Sequence, residues 1–374
     1  MIATQTETDT AVIDGMDVSA YRIPTDLPEA DGTLDWNSTT LVVVELSARG
    51  TRGLGFGYAD TATARLISDK LAEIVQGSDP LAIRSTVQRI SQSVRNLGRP
   101  GIAAMALSIV DIALWDLKAR LLEISLVDLL GAARHSVPIY GSGGFTSYSD
   151  EQLQRQFGGW VEDGIPRVKM KIGRDPAVDR RRVTLARRTI GDAELFVDAN
   201  GGYSHKQALS QATAFAESGV SWFEEPVSSD DLEGLRLLRD RAPAPIDIAA
   251  GEYGYDPFYF RRMLDAQAVD VLQADATRCG GVTGFLNVAA QCEARPIPLS
   301  AHTAPSVHAH LGCACPEVRH VEYFHDHVRI ERMLFDGCLV PSNGELAPDR
   351  GRPGLGLEFK QSDAARWEVG LHGT

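Results

Sequence analysis

A chain of 374 residues is too long for one ordinary core and suits a large α/β barrel with a smaller companion domain. A formal net charge of −13 excludes a general nucleic-acid binder, which presents a basic face, and the ordinary apolar and charged content excludes wholesale disorder. The first ten residues lack a leader pattern, no apolar run reaches the ~18 residues that cross a bilayer, and five cysteines are too few for a disulfide framework, so a cytoplasmic protein with no membrane partner is expected.

Residues 1 to about 60 alternate strand-like runs with turns. Ala11-Val12-Ile13 and Leu41-Val42-Val43-Val44-Glu45-Leu46 read as β segments. The stretch from Ile23 to Gly32 is too rich in Pro, Gly and Asp to pair in a sheet. A surface loop or a mobile lid is expected there. Gly53, Gly55 and Gly57 alternate, but no helix follows them. A phosphate-cradling loop is therefore rejected in favour of a hairpin or flexible loop.

Residues 61–97 read as helices with caps and breaks. The strongest helical stretch runs from Ile102 to Leu130, with a broad apolar face and Gly131 as its C-cap. Asp111, Asp116 and Lys118 within it imply no cleft and read as satisfied structural groups. From Val137 onward, short strands alternate with amphipathic helices. Strands begin near Val137, Arg167, Leu195, Val220, Ile246, Val269, Ile297 and Val321. Eight β/α repeats is a barrel count. Cys313 and Cys315 lack a second cluster that would make a metal site and read as buried thiols. Residues 337–374, punctuated by Gly and Pro, are expected to pack back on the N-terminal domain.

The polar residue closing each strand carries the functional signal. Lys171, Asp198, Glu224, Glu252, Asp275, His302 and Glu322 follow one another at intervals of 20–28 residues. A β/α unit of a barrel runs to about 25–30 residues. One polar strand end alone marks only a solvent edge. Seven in register place these residues in one ring at the C-terminal mouth, where barrel enzymes keep their chemistry.

Lys169 and Lys171 stand at i and i+2 in an apolar run, so on a strand they share a face. Two buried ammonium groups need anions, and Asp198, Glu224 and Glu252 on three consecutive strands supply them. Three converging carboxylates repel one another unless a cation sits between them. All-oxygen ligation with open positions suits Mg²⁺, and the lack of His or Cys among the ligands makes Zn²⁺ a poor fit. Glu225 alternates to the opposite face, which leaves Glu224 as the ligand. Asn200 either donates to a ligand or simply makes the Asn-Gly-Gly turn.

Lys171 and His302 fall on opposite sides of the ring. Asp275 beside His302 fixes its tautomer and raises its basicity. Lys169 is expected to depress the pKa of Lys171, so that Lys171 acts as a neutral base, and to contact the substrate carboxylate. The other histidines, His308, His320 and His327 among them, are assigned surface or core roles. A base on each face of a metal-held small-molecule carboxylate removes the proton α to that carboxylate, and the metal stabilises the enediolate oxygens. Glu322, if protonated, hydrogen-bonds the same carboxylate.

The series Lys169-Met170-Lys171, Asp198-Ala199-Asn200, Glu224-Glu225-Pro226, Gly251-Glu252, Asp275 and His302 resembles the mandelate racemase subgroup of the enolase superfamily. That superfamily uses a Lys or His base with Mg²⁺. Ile109 to Gly131 is similar to its capping-domain helix, and Gly354 to Glu358 to its C-terminal tail. The resemblance implies a (β/α)7β-type TIM barrel over residues 131–336. It implies an α+β capping domain over residues 1–130, on which the tail 337–374 packs back. Lid loops near 22–36 and 53–60 would close over the mouth and select the substrate, and a homo-oligomer is expected.

Members of that subgroup include racemases and many acid-sugar dehydratases. Both Lys171 and His302 are present, so these residues alone do not separate dehydration from racemisation or epimerisation. Asp26, Glu29, Asp31, Asn37 and Ser38 in the expected lid suit hydroxyl recognition and favour dehydration of an acid sugar to a 2-keto-3-deoxy acid. Trp36 and Phe56 weigh against that. A non-catalytic metal-binding barrel is disfavoured, because it needs neither Lys171 nor His302.

Overall fold

The computed structural model describes residues 11–371; the segment 1–10, read above for a leader, lies outside the described residues. The N-terminal region is an antiparallel sheet of β1 (Gly15–Ala30), β2 (Asp35–Ala48) and β3 (Thr51–Tyr58), in that order. The expected loop at 22–36 is therefore a hairpin arm. β1 is an edge strand, and its register shifts between Pro24 and Glu29. An edge strand with a bulge tolerates a proline that a central strand would not. The expected β segment at 11–13 is instead an irregular lead-in, held by Ile13 N–H donating to Ser78 O at 2.9 Å.

Residues 53–57 lie in β3, which forms a hairpin with β2, so the expected hairpin is present and the expected lid loop is a strand. A Cβ on Gly55 would stand 2.2 Å from the carbonyl oxygen of Ile109, and one on Gly53 would stand 2.3 Å from Cβ of Leu117. The alternate glycines thus form a smooth stripe against which a helix backbone lies. That helix is α4 in the order α1 (Thr61–Leu66), α2 (Ala72–Val75), α3 (Ile83–Ser93), α4 (Ile102–Leu121) and α5 (Leu126–Leu130). The stretch expected to be one helix to Leu130 breaks after Leu121, at a turn where Glu123 has a φ of 56°, and Ser125 then caps α5. Gly131 ends α5 in the left-handed conformation.

α4 is apolar nearly all round because the sheet covers one side and the barrel the other. Its polar groups tie these layers together, as expected of structural residues. Asp111 accepts from the backbone N–H of Thr283 at 2.9 Å and from its hydroxyl at 2.6 Å. Asp116 accepts from Leu54 N–H at 2.7 Å, Leu355 N–H at 2.6 Å and Arg120 Nε at 2.7 Å.

Eight parallel strands close the barrel: β4 (Val137–Gly143), β5 (Arg167–Lys171), β6 (Glu194–Asp198), β7 (Val220–Glu224), β8 (Asp247–Ala250), β9 (Val271–Ala274), β10 (Leu299–Ala301) and β11 (Val318–Phe324). Pairing of Val321 with Ile139 and of Glu322 with Tyr140 seals the ring. Helices α6 (Asp150–Glu162), α7 (Pro176–Ile190), α8 (His205–Glu217), α9 (Leu232–Arg241), α10 (Pro257–Asp265), α11 (Gly281–Glu293) and α12 (Pro305–Ala314) connect successive strands, and α13 (His325–Leu334) follows the last. Tyr140, Phe196, Trp222 and His320 stack as a floor inside the barrel, with ring centroids 4.8–6.4 Å apart.

The tail reaches both parts of the molecule. Glu345–Leu346 pairs antiparallel with β4, while Val369 N–H donates to Ala20 O at 2.8 Å. Cys313 and Cys315 are buried and free. No helix among the described residues is long and apolar enough to cross a membrane.

Candidate active site

Strand register assembles one side of the site. Lys171 lies opposite Asp198, and Asp198 opposite Glu224. Glu252, Asp275 and His302 stand just past the ends of β8, β9 and β10, and Glu322 lies within β11. All seven are buried. One oxygen each from Asp198, Glu224 and Glu252 lies within 4.8 Å of the others. The donors are hard, buried and mutually repulsive: burial and then Asp198 push the Glu224 pKa up to about 8. This set fits a small divalent cation that prefers oxygen.

Glu225 departs from the expected alternation. Its φ of 37° turns the chain, and its carboxyl is buried facing the others. Burial, then Glu252 and Asp198, push its pKa up. Six buried carboxylates, those of Asp198, Glu224, Glu225, Glu252, Asp275 and Glu322, thus face Lys169, Lys171, Arg278 and His302.

Lys169 is fully buried between the aromatic floor and the mouth. Its Nζ lies 2.6 Å from Glu224, 2.8 Å from Glu322 and 3.4 Å from Asp198, and 5.4 Å from the Tyr140 ring centre. It holds ligand carboxylates and, like Asp198 and Glu224, is buried behind the cavity wall. Lys171 does line the cavity, with Nζ 2.5 Å from Asp198. Burial presses its pKa down, but Asp198 and Glu252 outweigh burial and Lys169 together and hold it above the ordinary lysine value. The expected depression by Lys169 is present, yet an adjacent carboxylate at contact distance is the larger influence.

His302 bridges two carboxylates. Nδ1 lies 3.0 Å from Asp275 and Nε2 3.2 Å from Glu252. Burial opposes its charged form, but Glu252, Glu322 and Asp275 raise its pKa to about 10. The neighbours of Glu322 favour its ionised form, where the sequence reading considered the protonated one. Burial raises its pKa, but Lys169 and His302 outweigh burial and hold it at about 2. Glu322 also accepts from Thr303 N–H at 3.1 Å. Asn200 sits in a left-handed turn, with φ of 45°, beyond the end of β6. Its N–H donates to Asp198 at 2.9 Å, while its side-chain Oδ1 is buried, unpaired and part of the cavity wall.

The cavity, about 470 Å³, runs from Lys171 and His302 to the cap, where β2 and β3 contribute Trp36, Thr39 and Tyr58. The hairpin tip rests directly on the mouth: a Cβ on Gly32 would meet Ala199 O at 2.3 Å and Ile172 O at 2.7 Å. Several wall residues escaped the sequence reading, among them Arg278, Thr303 and His327. Arg278, three residues past Asp275, lies 3.4 Å from Glu252 and 3.6 Å from Asp275. Thr303 follows His302 directly, so both have a positional signal. His327 has none; it lies in α13 and stacks on Tyr58, with ring centroids 3.3 Å apart. His308 is structural as expected, accepting from Ala276 N–H and donating to Thr303 O.

A capped parallel barrel with an oxygen-ligand trio between a lysine and an Asp–His pair defines a class of metal-assisted acid–base enzymes. Family comparison specifies the class. Residues 21–131 match the mandelate racemase / muconate lactonizing enzyme N-terminal domain, and residues 152–364 match the enolase C-terminal domain-like family. The chain belongs to the enolase superfamily, in its mandelate racemase branch. It is 32% identical to L-talarate/galactarate dehydratase of Salmonella typhimurium over 87% of this chain and 82% of that protein. A mandelate racemase/muconate lactonizing enzyme-like protein from Rubrobacter xylanophilus superposes with a TM-score of 0.94, at 54% identity, over 96% of this chain and all of that one. A mutant of L-talarate/galactarate dehydratase, crystallised with Mg and L-glucarate, superposes with a TM-score of 0.91 at 29% identity, over 99% of this chain and 95% of that one. The relatives include acid-sugar dehydratases and cycloisomerases, and racemase-like structures are also similar.

Proposed function

We propose that the chain is an Mg²⁺-dependent lyase that removes the proton α to the carboxylate of an acid sugar and expels the neighbouring hydroxyl as water. The observation that carries this reading is the presence of Lys171 and His302 in the wall of one cavity that also contains Glu252 of the ligand trio. Asp198, Glu224 and Glu252 would hold Mg²⁺, which supplies a Lewis acid for negative charge on carboxylate oxygens. Asp198 and Glu252 favour the charged forms of Lys171 and His302, an influence that a cation on these carboxylates would offset. Whichever of Lys171 and His302 is left neutral takes the C2 proton, and the C–H electrons move into the carboxylate to give an enediolate. The C2–C3 double bond then forms as the C3–O bond breaks, and His302 delivers the proton that turns the leaving hydroxide into water. The enol tautomerises to a 2-keto-3-deoxy acid. Asp275 positions His302, and Lys169 positions Glu224 and Glu322. The cap, through Trp36, Thr39 and Tyr58, selects the substrate.

The relatives named as acid-sugar dehydratases support this reading, and so do the hydroxyls of Ser38 and Thr40 in the cavity wall. The test is a screen of acid sugars with Mg²⁺ in D2O, read by mass spectrometry and proton NMR. Deuterium at C2 with accumulation of 2-keto-3-deoxy product is expected. Stereoinverted acid with no keto product would replace the lyase by a racemase, for which bases on both flanks are also suited.

A further inference from the structure

We propose that the cap end of the cavity receives a neutral polyhydroxyl chain, so that the substrate is an acid sugar with one carboxylate and not a diacid. This rests on the acid-sugar reading above and narrows it.

The charges in the wall are unevenly placed. Among the described lining residues the lysine and arginine present are Lys171 and Arg278, and both belong to the reacting end. Both are also engaged. Lys171 is paired with Asp198 at 2.5 Å. Arg278 donates to the backbone carbonyl of Glu252 at 3.2 Å, approaches Asp275 at 3.6 Å and lies over the Tyr253 ring. The cap contributes Asp31 and Asp60 instead, with no lysine or arginine among its described lining residues. A second carboxylate entering there would meet no free cation, only Asp31, whose carboxylate accepts from Thr33 and Leu34 N–H, and the exposed Asp60 that caps α1, which is unfavourable.

The unpaired groups in the wall favour hydroxyls. Asn200 Oδ1 and His327 Nδ1 are both buried, lack a partner and line this cavity. An orphaned acceptor such as Asn200 Oδ1 needs a donor, and a hydroxyl donates while a carboxylate only accepts. His327 is held neutral, since burial and then the neighbouring His302 push its pKa well below the usual value. It therefore offers a hydroxyl one hydrogen bond without offering a carboxylate a counter-charge. The hydroxyls of Ser38 and Thr40 extend the same surface along β2, while that of Thr39 donates to Asp326. A sugar chain that presents both a donor and an acceptor at every carbon matches this wall.

The experiment uses the full chain with Mg²⁺ and pairs of acids that share their C2–C5 configuration, such as D-gluconate with D-glucarate and D-galactonate with galactarate. C2 deuterium exchange and kcat/KM for keto product are measured for each. At least one monoacid is expected to exceed its paired diacid by a hundredfold or more in kcat/KM. Equal or greater activity on the diacid overturns this inference and leaves the acid-sugar reading standing. Absence of C2 exchange on every pair overturns both. Two variants test the argument residue by residue. Ser38→Arg supplies the missing cation and is expected to move the diacid/monoacid ratio at least tenfold towards the diacid; an unmoved ratio counts against the charge argument. His327→Ala is expected to raise KM for the monoacid at least tenfold with kcat within threefold, and His327→Asn to recover part of that loss. A fall in kcat at unchanged KM would remove His327 from the distal site.

Discussion

His302 shows how a single side chain acquires its chemistry from its neighbours. Asp275 holds Nδ1, and Glu252 and Glu322 face Nε2, so the ring is fixed and these carboxylates favour its protonated form. A protonated imidazole is the form that delivers a proton to a departing hydroxide. His302→Asn keeps the approximate shape but carries no titratable proton. It is expected to lower kcat for keto product by about 10²–10⁴-fold, the usual worth of a positioned acid or base. Exchange of the C2 proton by Lys171 should persist on the opposite face. Undiminished keto production in that variant would remove His302 from the reaction. The pairing of Asp275 with His302 was readable from the sequence because both close consecutive strands. The sign of the Lys171 shift was not, because it depends on Asp198 lying 2.5 Å away, a distance that spacing along the chain does not contain. His327 was equally hidden, since a histidine early in a helix has no strand-end signal to distinguish it.

Elements were legible where the sequence period carried the packing, and obscure where the partner lay far along the chain. The eight barrel strands could be counted because each is a short apolar run buried on both faces, and seven of them carry a polar residue at or near the C-terminal end. The glycine stripe of β3 could not be interpreted, because its cause is the backbone of α4 some fifty residues later. Gly55→Ala tests that cause. Its Cβ would enter the van der Waals shell of Ile109 O, and neither backbone can yield cheaply. A loss of about 1–3 kcal/mol in urea unfolding is expected, as for other overpacked cores. Full stability would mean that β3 and α4 separate easily. The other side of α4 makes a prediction in pH. Burial raises the Asp111 pKa from 3.8 to about 7, against the hydrogen bonds from Thr283. The folded state therefore holds this proton more tightly than the unfolded state. The stability this confers is full below pH 3.8 and is lost as pH rises to about 7, on the order of 4 kcal/mol in total. Asp111→Asn preserves the shape, accepts from Thr283 N–H and never ionises. Its stability advantage over the parent should grow between about pH 4 and 7 and level off above, in urea titrations across that range. An advantage independent of pH would show that Asp111 is not the group titrating.

At the scale of the whole molecule, the cap and the barrel meet where Gly32 lies on the carbonyls of Ile172 and Ala199. Gly32→Ala is expected to lift the hairpin tip and raise KM several-fold, while leaving metal binding by the barrel intact. A parallel loss of metal affinity would mean that the tip shapes the ligand set itself. The barrel mouth has its own global consequence. Six buried carboxyl groups face Lys169, Lys171, Arg278 and His302, and the burial and mutual repulsion that push Glu224 and Glu225 towards their neutral forms oppose folding. A divalent cation held by Asp198, Glu224 and Glu252 would bind the folded chain and not the unfolded one. It then stabilises by about 2.7 kcal/mol once free Mg²⁺ is about a hundredfold above its Kd. Thermal unfolding followed by circular dichroism should show a midpoint that climbs with Mg²⁺ and falls back on chelation. Asp198→Asn removes one ligand and one like charge together. It should weaken the Mg²⁺ dependence while raising the midpoint in chelator, because the remaining carboxylates repel one another less. A variant that keeps the full Mg²⁺ response would place the cation elsewhere. A lower midpoint in chelator would mean that Asp198 stabilises Lys171 more than it burdens Glu224.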